Sequence, residues 1–111
     1  MKTKVDNQNC EWNEVELPAE VDIYDLNFWR TQLFNSDLIG FDGDHKGYGN
    51  ISMRYKGDSF IISGLGTGTL TELTREHYTI VTAADETKNW FSCDGPMMAS
   101  SESLTHAVIY R

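Results

Sequence analysis

The residues best suited to chemistry in this chain are short polar groups, several of them beside glycine: Gly49-Asn50, Thr67-Gly68 and Ser100-Ser101. Gly49 lets backbone approach a ligand closely, and the Asn50 amide can donate to a phosphate or hydroxyl oxygen. Thr67-Gly68 and Ser100-Ser101 add hydroxyls and main-chain N–H groups. The serine pair stands where a last helix opens, and the positive end of a helix dipole favours an anion. Such a set suits the holding of an oxyanion. The glycine-rich run Ser63-Gly64-Leu65-Gly66-Thr67-Gly68 is not a P-loop, because no Gly-Lys-Ser/Thr follows, and taken alone it reads equally as a strand-to-helix turn.

Among titratable residues, Glu102 follows the serine pair too closely for a capping box, so by itself it reads as a glutamate in a helix's first turn. His106 lies one helical turn further, a spacing at which a carboxylate and an imidazole could share a metal. It reads instead as a buried or helix-face histidine. His77 reads as a surface or turn residue. His45 sits beside Asp42-Gly43-Asp44, which has the start of a calcium loop, but the twelfth position is Met53 where glutamate is required. Cys10 and Cys93 form no CxxC pair and read as two reduced packing thiols.

These groups need elements to hold them. Residues 1–21 alternate loosely up to Leu17-Pro18 and predict an N-terminal arm or a short edge strand. Asp22 or Asp25 can cap a helix with Leu26, Trp29 and Leu33 on one stripe, ending near Asn35-Ser36. After a glycine-rich loop over residues 40–49, the segments 51–55 and 60–62 read as a hairpin turned at Lys56-Gly57-Asp58-Ser59. Residues 70–77 suggest a short helical turn containing Glu72 and Glu76. Residues 78–82 and 90–93 suggest strands, and a final helix opens at Ser100 or Ser101 with Glu102 in its first turn. The sheet therefore has at least four strands.

With 40% hydrophobic residues and 13 aromatics among 111 positions, the chain can build one core. Its formal charge of -8 repels phosphate backbones and anionic lipid, which argues against nucleic acid as a partner. No stretch approaches the roughly 18 to 20 apolar residues of a membrane span, and no hydrophobic signal core follows Met1, so the chain reads as cytoplasmic.

Four stretches, in order and correctly spaced, resemble the class II aldolase/adducin superfamily: Gly49-Asn50-Ile51-Ser52-x-Arg54; Phe60-Ile61-Ile62-Ser63-Gly64 with Thr67-Gly68; Leu73-Thr74-x-Glu76-His77-Tyr78; and Ala99-Ser100-Ser101-Glu102-x-x-x-His106-x-x-x-Tyr110. The resemblance implies a three-layer α/β fold with a mostly antiparallel sheet and flanking helices. It implies that Asn50, Thr67, Gly68, Ser100 and Ser101 hold a substrate phosphate and that Glu102 is the acid/base carboxylate of a sugar-phosphate lyase. Two loops depart from the family pattern: residues 42–48 are unusually charged and glycine-rich, and residues 63–66 unusually dense in glycine.

The family's metal, zinc or another divalent ion, is held by a His-x-His pair on the strand after the Glu102-type helix and by a third histidine beyond. Those positions would follow Arg111, and the histidines at 45, 77 and 106 include no His-x-His pair. The expectation is therefore a single partial domain over residues 1–111. It would be truncated before the metal-binding half, with no metal ligands and no cofactor in this chain, Glu102 retained but inactive, and a residual phosphate pocket. Two alternatives stand beside it. The chain could be part of a longer or two-chain metal-dependent lyase, or an oligomeric interaction module.

A partial layered domain leaves sheet edge and apolar face to cover, which makes self-association the simplest outcome. The expected partner is a second copy in a symmetric dimer, with a tetramer as the competing form, contacting through Leu104, Val108, Ile109 and Tyr110. Light scattering at micromolar concentration should give about twice the 12.6 kDa chain mass. A monomer mass would refute this.

Overall fold

The computed structural model describes residues 2–5, 8–44 and 46–111, with side chains from Asn9 onward. His45, placed by sequence in the first glycine-rich loop, lies outside the described residues. Strand β1 (Lys2–Val5) turns back antiparallel onto β2 (Gln8–Glu14), and β2 lies parallel to β8 (Trp90–Gly95). The hairpin of β5 (Ser52–Arg54) and β6 (Phe60–Ser63) forms where the alternating pattern places it, with Met53 opposite Ile61. Strand β7 (Tyr78–Asp85) pairs antiparallel with both β6 and β8. The six-stranded sheet thus runs β1-β2-β8-β7-β6-β5, mostly antiparallel with one parallel pair, and β3 (Gly40–Phe41) and β4 (Gly47–Tyr48) form a separate ribbon.

The first residues, expected to form an arm or a short edge strand, do place a strand, β1, at the edge of the sheet, and they add a second. That second strand, β2, lies inside the sheet because Cys10, fully buried, packs with Phe91 and Cys93 of its parallel neighbour.

Alternation along β6 and β7 divides the core between the two faces of the sheet. On one face Cys10, Phe60, Ile62, Val81, Phe91 and Cys93 pack with Leu104 and Ala107 of helix α2 (Ser103–Tyr110). On the other, Ile61, Tyr78 and Ile80 pack with Leu17, Val21, Leu73 and Leu26 of helix α1 (Tyr24–Asn35). The chain is an α/β domain with a mixed sheet and a helix against each face. Among the described residues no helix is long and apolar enough to cross a membrane.

Helix α1 begins where Asp22 accepts the Tyr24 N–H at 2.9 Å and ends as Ser36 closes onto the carbonyls of Gln32 and Leu33. Its seating differs from the expected apolar stripe. Trp29 is 58% exposed and Leu33 only half-buried, while Arg30 is 1% exposed. The guanidinium of Arg30 donates to the main-chain oxygens of Thr67 at 2.9 Å, Leu70 at 2.7 Å and Thr71 at 3.2 Å, with its plane 4.8 Å from the Phe34 ring. Asn27 adds a bond to the Leu73 carbonyl at 3.1 Å and accepts from the Tyr78 hydroxyl at 2.7 Å. The helix docks by polar forks onto a loop, and that loop is why the expected helical turn over residues 70–77 shrinks. Side chains of α1 hold residues 70–73 by their carbonyls in a non-helical path, and within the expected stretch only Arg75–His77 coils, capped by Thr74. His77 Nδ1 accepts the Thr74 N–H at 2.8 Å, the turn role its position suggests.

Two further expectations shift at α2. The helix starts at Ser103 with Glu102 as its N-cap, and Ser100 holds the turn before it: Ser100 Oγ accepts the Glu102 N–H at 3.1 Å and the Ser100 carbonyl accepts from Ser103. Of the four residues named for self-contact, Leu104 is buried in the core and Tyr110 is half-buried, whereas Val108 and Ile109 are exposed.

Replacing Arg30 with methionine takes the donor from the Leu70 and Thr71 carbonyls and leaves Thr67 with only the Leu70 N–H, at a cost of about 1 to 3 kcal/mol for a group left unsatisfied. Urea unfolding of Arg30→Met should show a loss of about 3 kcal/mol, and Arg30→Lys, lacking the fork, should recover less than half. Unchanged unfolding in Arg30→Met would contradict this role.

Candidate functional site

A cleft of about 410 Å³ opens between the β3–β4 ribbon, the loop after β6 and the start of α2, and Asn50, Thr67, Gly68, Ser100, Ser101 and Glu102 all line it. Lys46, Tyr48 and Gly49 complete one side and Gly64–Gly66 the other. Glycine is required at two of these points. Gly49 has φ +77° and any side chain there would strike the Leu38 carbonyl; a Cβ on Gly68 would come within 2.7 Å of the Gly40 carbonyl and 3.0 Å of the Tyr48 main chain. The loop after β6 therefore lies directly on the ribbon, which closes the floor of the cleft.

The back wall is a chain of hydrogen bonds. Asn50 Nδ2 donates to Ser100 Oγ at 2.9 Å, and Asn50 Oδ1 pairs with His106 Nε2. His106 Nδ1 lies 2.6 Å from Ser52 Oγ, which lies 2.8 Å from the Tyr110 hydroxyl. Oδ1 can only accept, so Nε2 carries the imidazole proton and Nδ1 accepts from Ser52. Burial holds the His106 pKa below its usual 6.5, opposed by the nearby Glu102 charge, and the ring is neutral at physiological pH. Phe60 stacks on Tyr110 at 4.9 Å and on His106 at 6.4 Å, fixing both rings.

The sequence-predicted residues take different parts. Ser100 Oγ accepts from both Asn50 and Glu102 and so has its own hydrogen to give. Ser101 is half-buried on the cleft wall. Thr67 corrects the expectation that it offers a hydroxyl. It is 4% exposed and its hydroxyl donates to the Gly64 carbonyl at 2.8 Å, so it shapes the loop instead. Glu102 is exposed on the rim. Ser52, His106 and Tyr110 were not among the predicted site residues, although the one-turn spacing Glu102, His106, Tyr110 puts them on one face of a helix. Lys46, a cation beside the cleft, carries no sequence signal of its role.

Larger hollows lie elsewhere. One of about 690 Å³ runs beside α1, lined by Tyr24, Asn27, Phe28 and Arg75, and one of about 530 Å³ lies beyond Arg75. Arg75 spends its guanidinium on the carbonyls of Leu17, Pro18 and Val21. Both hollows also carry polar groups, among them Thr31 and Gln32 in the first and Glu16 and Glu76 in the second; the smaller cleft is set apart by gathering the residues named from the sequence.

Among the described residues no three His, Cys, Asp or Glu side chains converge as a metal site. His106 is engaged at both nitrogens, and Cys10 and Cys93 touch each other at 3.7 Å within the core. The residues described do not make up the ligand set that the aldolase resemblance implies. Compared with protein-family models, curated proteins and solved structures, the chain matches none.

The depressed pKa of His106 has a consequence for stability. Well above 6.5 the ring is neutral in the folded and unfolded chains alike. As pH falls through 6.5 the unfolded chain takes up the proton first, so stability is lost on acidification. The lowered carboxyls of Glu20 and Asp85 act only below 4.5 and 3.8. Urea midpoints should therefore drop between about pH 6.5 and 5 in the native chain, and His106→Gln should flatten that slope. An equal slope in the variant would show that His106 is not the responsible group.

Proposed function

We propose that this chain is a class II aldolase/adducin-like module that binds a phosphate or similar oxyanion in the Asn50–Ser100 cleft and does not itself carry out lyase chemistry. The observation that supports this most directly is convergence. Six residues picked from separate stretches by resemblance line one cleft, brought there by a loop, a strand end and a helix start. Its wall offers the Ser100 hydroxyl and the Asn50 amide beside the positive end of α2, which together suit acceptor oxygens. Lys46 adds a cation at the side.

Of the described histidines, His77 caps a turn and His106 holds Asn50. One observation favours a second reading, a share in a longer or two-chain metal-dependent lyase. Glu102 faces the cleft from its rim, where a carboxylate weakens anion binding but would suit proton exchange with a bound sugar phosphate. Self-association through the exposed Val108 and Ile109 is compatible with both.

Inorganic phosphate titrated into the labelled protein should shift the amide resonances of Asn50, Gly66, Gly68 and Ser101. A Ser100→Ala, Ser101→Ala double variant should lose at least about tenfold in affinity, since hydrogen bonds to a charged ligand are worth about 1.5 to 3 kcal/mol each. Undiminished phosphate affinity in that variant would rule this cleft out.

A further inference from the structure

Both ends of the Asn50 carboxamide are committed, and the commitment has a direction. Oδ1 takes the proton of His106 Nε2, and Nδ2 donates to Ser100 Oγ at 2.9 Å. The two ends of a carboxamide are almost the same size, so packing does not decide which of them faces a cleft; hydrogen bonds do. Here the deciding partner is His106. Oδ1 cannot donate, so the one proton of the neutral ring sits on Nε2 and is given to that oxygen. Behind the ring, Nδ1 lies 2.6 Å from Ser52 Oγ, which lies 2.8 Å from the Tyr110 hydroxyl, and with the proton on Nε2 the chain runs Tyr110 to Ser52 to Nδ1. The Asn50 oxygen is turned toward the helix, and the NH2 group stays on the side of Ser100.

We infer that His106 is a positioning residue that fixes the polarity of the cleft: through Asn50 it makes the wall present N–H and O–H donors, which selects a phosphate or sulfate-like oxyanion over a cation. This rests on the anion-binding reading above. Ser52 and Tyr110 act one step further back by fixing the tautomer of His106. Were Nδ1 to carry the proton, Nε2 would become an acceptor and would pull the Asn50 NH2 toward itself. The carboxamide oxygen would then face Ser100, opposing an anion with a lone pair.

Nitrogen-15 NMR of the full chain, with sulfate as the probe because it stays dianionic across neutral pH, tests this directly. At neutral pH His106 should be in the Nε2–H tautomer, with the Asn50 side-chain amide protected from exchange. His106→Leu should lose that protection and bind sulfate about tenfold more weakly. His106→Gln, which restores an N–H donor, should stay within about threefold of the native affinity. Should His106→Leu fail to fold, Ser52→Ala should mix the two tautomers and weaken sulfate binding. A native Nδ1–H tautomer, or native sulfate affinity in folded His106→Leu, would overturn the inference while leaving the cleft intact. A native chain with the Nε2–H tautomer that takes up no sulfate would instead overturn the anion-binding reading and the selectivity drawn from it.

Discussion

A guanidinium with 1% exposure sits between α1 and the loop after β6, and much of the molecule is arranged around it. Removing a charge from water is expensive unless its donors are met. Arg30 meets that demand with the carbonyls of Thr67, Leu70 and Thr71, and burial lowers its pKa without approaching neutrality for a guanidinium. Those carbonyls must all point at one spot, which dictates the path of residues 67–71. That path in turn aims the Thr67 hydroxyl at Gly64 and lays Gly68 against the β3–β4 ribbon. The floor of the cleft is thus set from behind, by a residue that does not touch it.

The opposite face of the sheet uses a different device for the same purpose. There the ties between β5 and α2 are neutral: Ser52, His106 and Tyr110, roofed by the Phe60 ring. A neutral network has a small desolvation cost but a specific protonation pattern, so it specifies orientation where Arg30 specifies position. The cleft lies where the two meet. Arg30 places the loop bearing Thr67 and Gly68, and His106 orients the Asn50 amide beside Ser100.

Elements whose pattern is written locally were legible in the sequence. The β5–β6 hairpin, β7, β8 and the extent of α1 follow from alternation and turn residues, although the N-cap of α1 is Ile23 and not either aspartate. Residues from three of the four resembling stretches also line one cleft. What was illegible depends on partners distant in sequence. Nothing near Cys10 announces that its strand pairs in parallel with residues some eighty positions away. The stripe Leu26, Trp29, Leu33 is a fair amphipathic pattern, but Arg30 is the residue that finds three acceptors, and burying it rotates Trp29 into solvent. The irregular path of residues 70–74 has the same origin, since Arg30 and Asn27 of α1 draw its carbonyls toward themselves.

The charge of the whole chain bears on the cleft in a way its lining residues do not reveal. A formal -8 sets up a field that repels the oxyanion proposed for the cleft. That repulsion acts over distance and is screened beyond about 8 Å at physiological ionic strength. The donors of Asn50 and Ser100, by contrast, act at contact, where screening is weak. An anion approaching this protein would gain nothing from steering and depend on a few well-aimed hydrogen bonds at the end of its path. Under that constraint the orientation of a single carboxamide carries unusual weight, because turning one donor into an acceptor removes a large share of the local attraction and leaves the long-range repulsion in place.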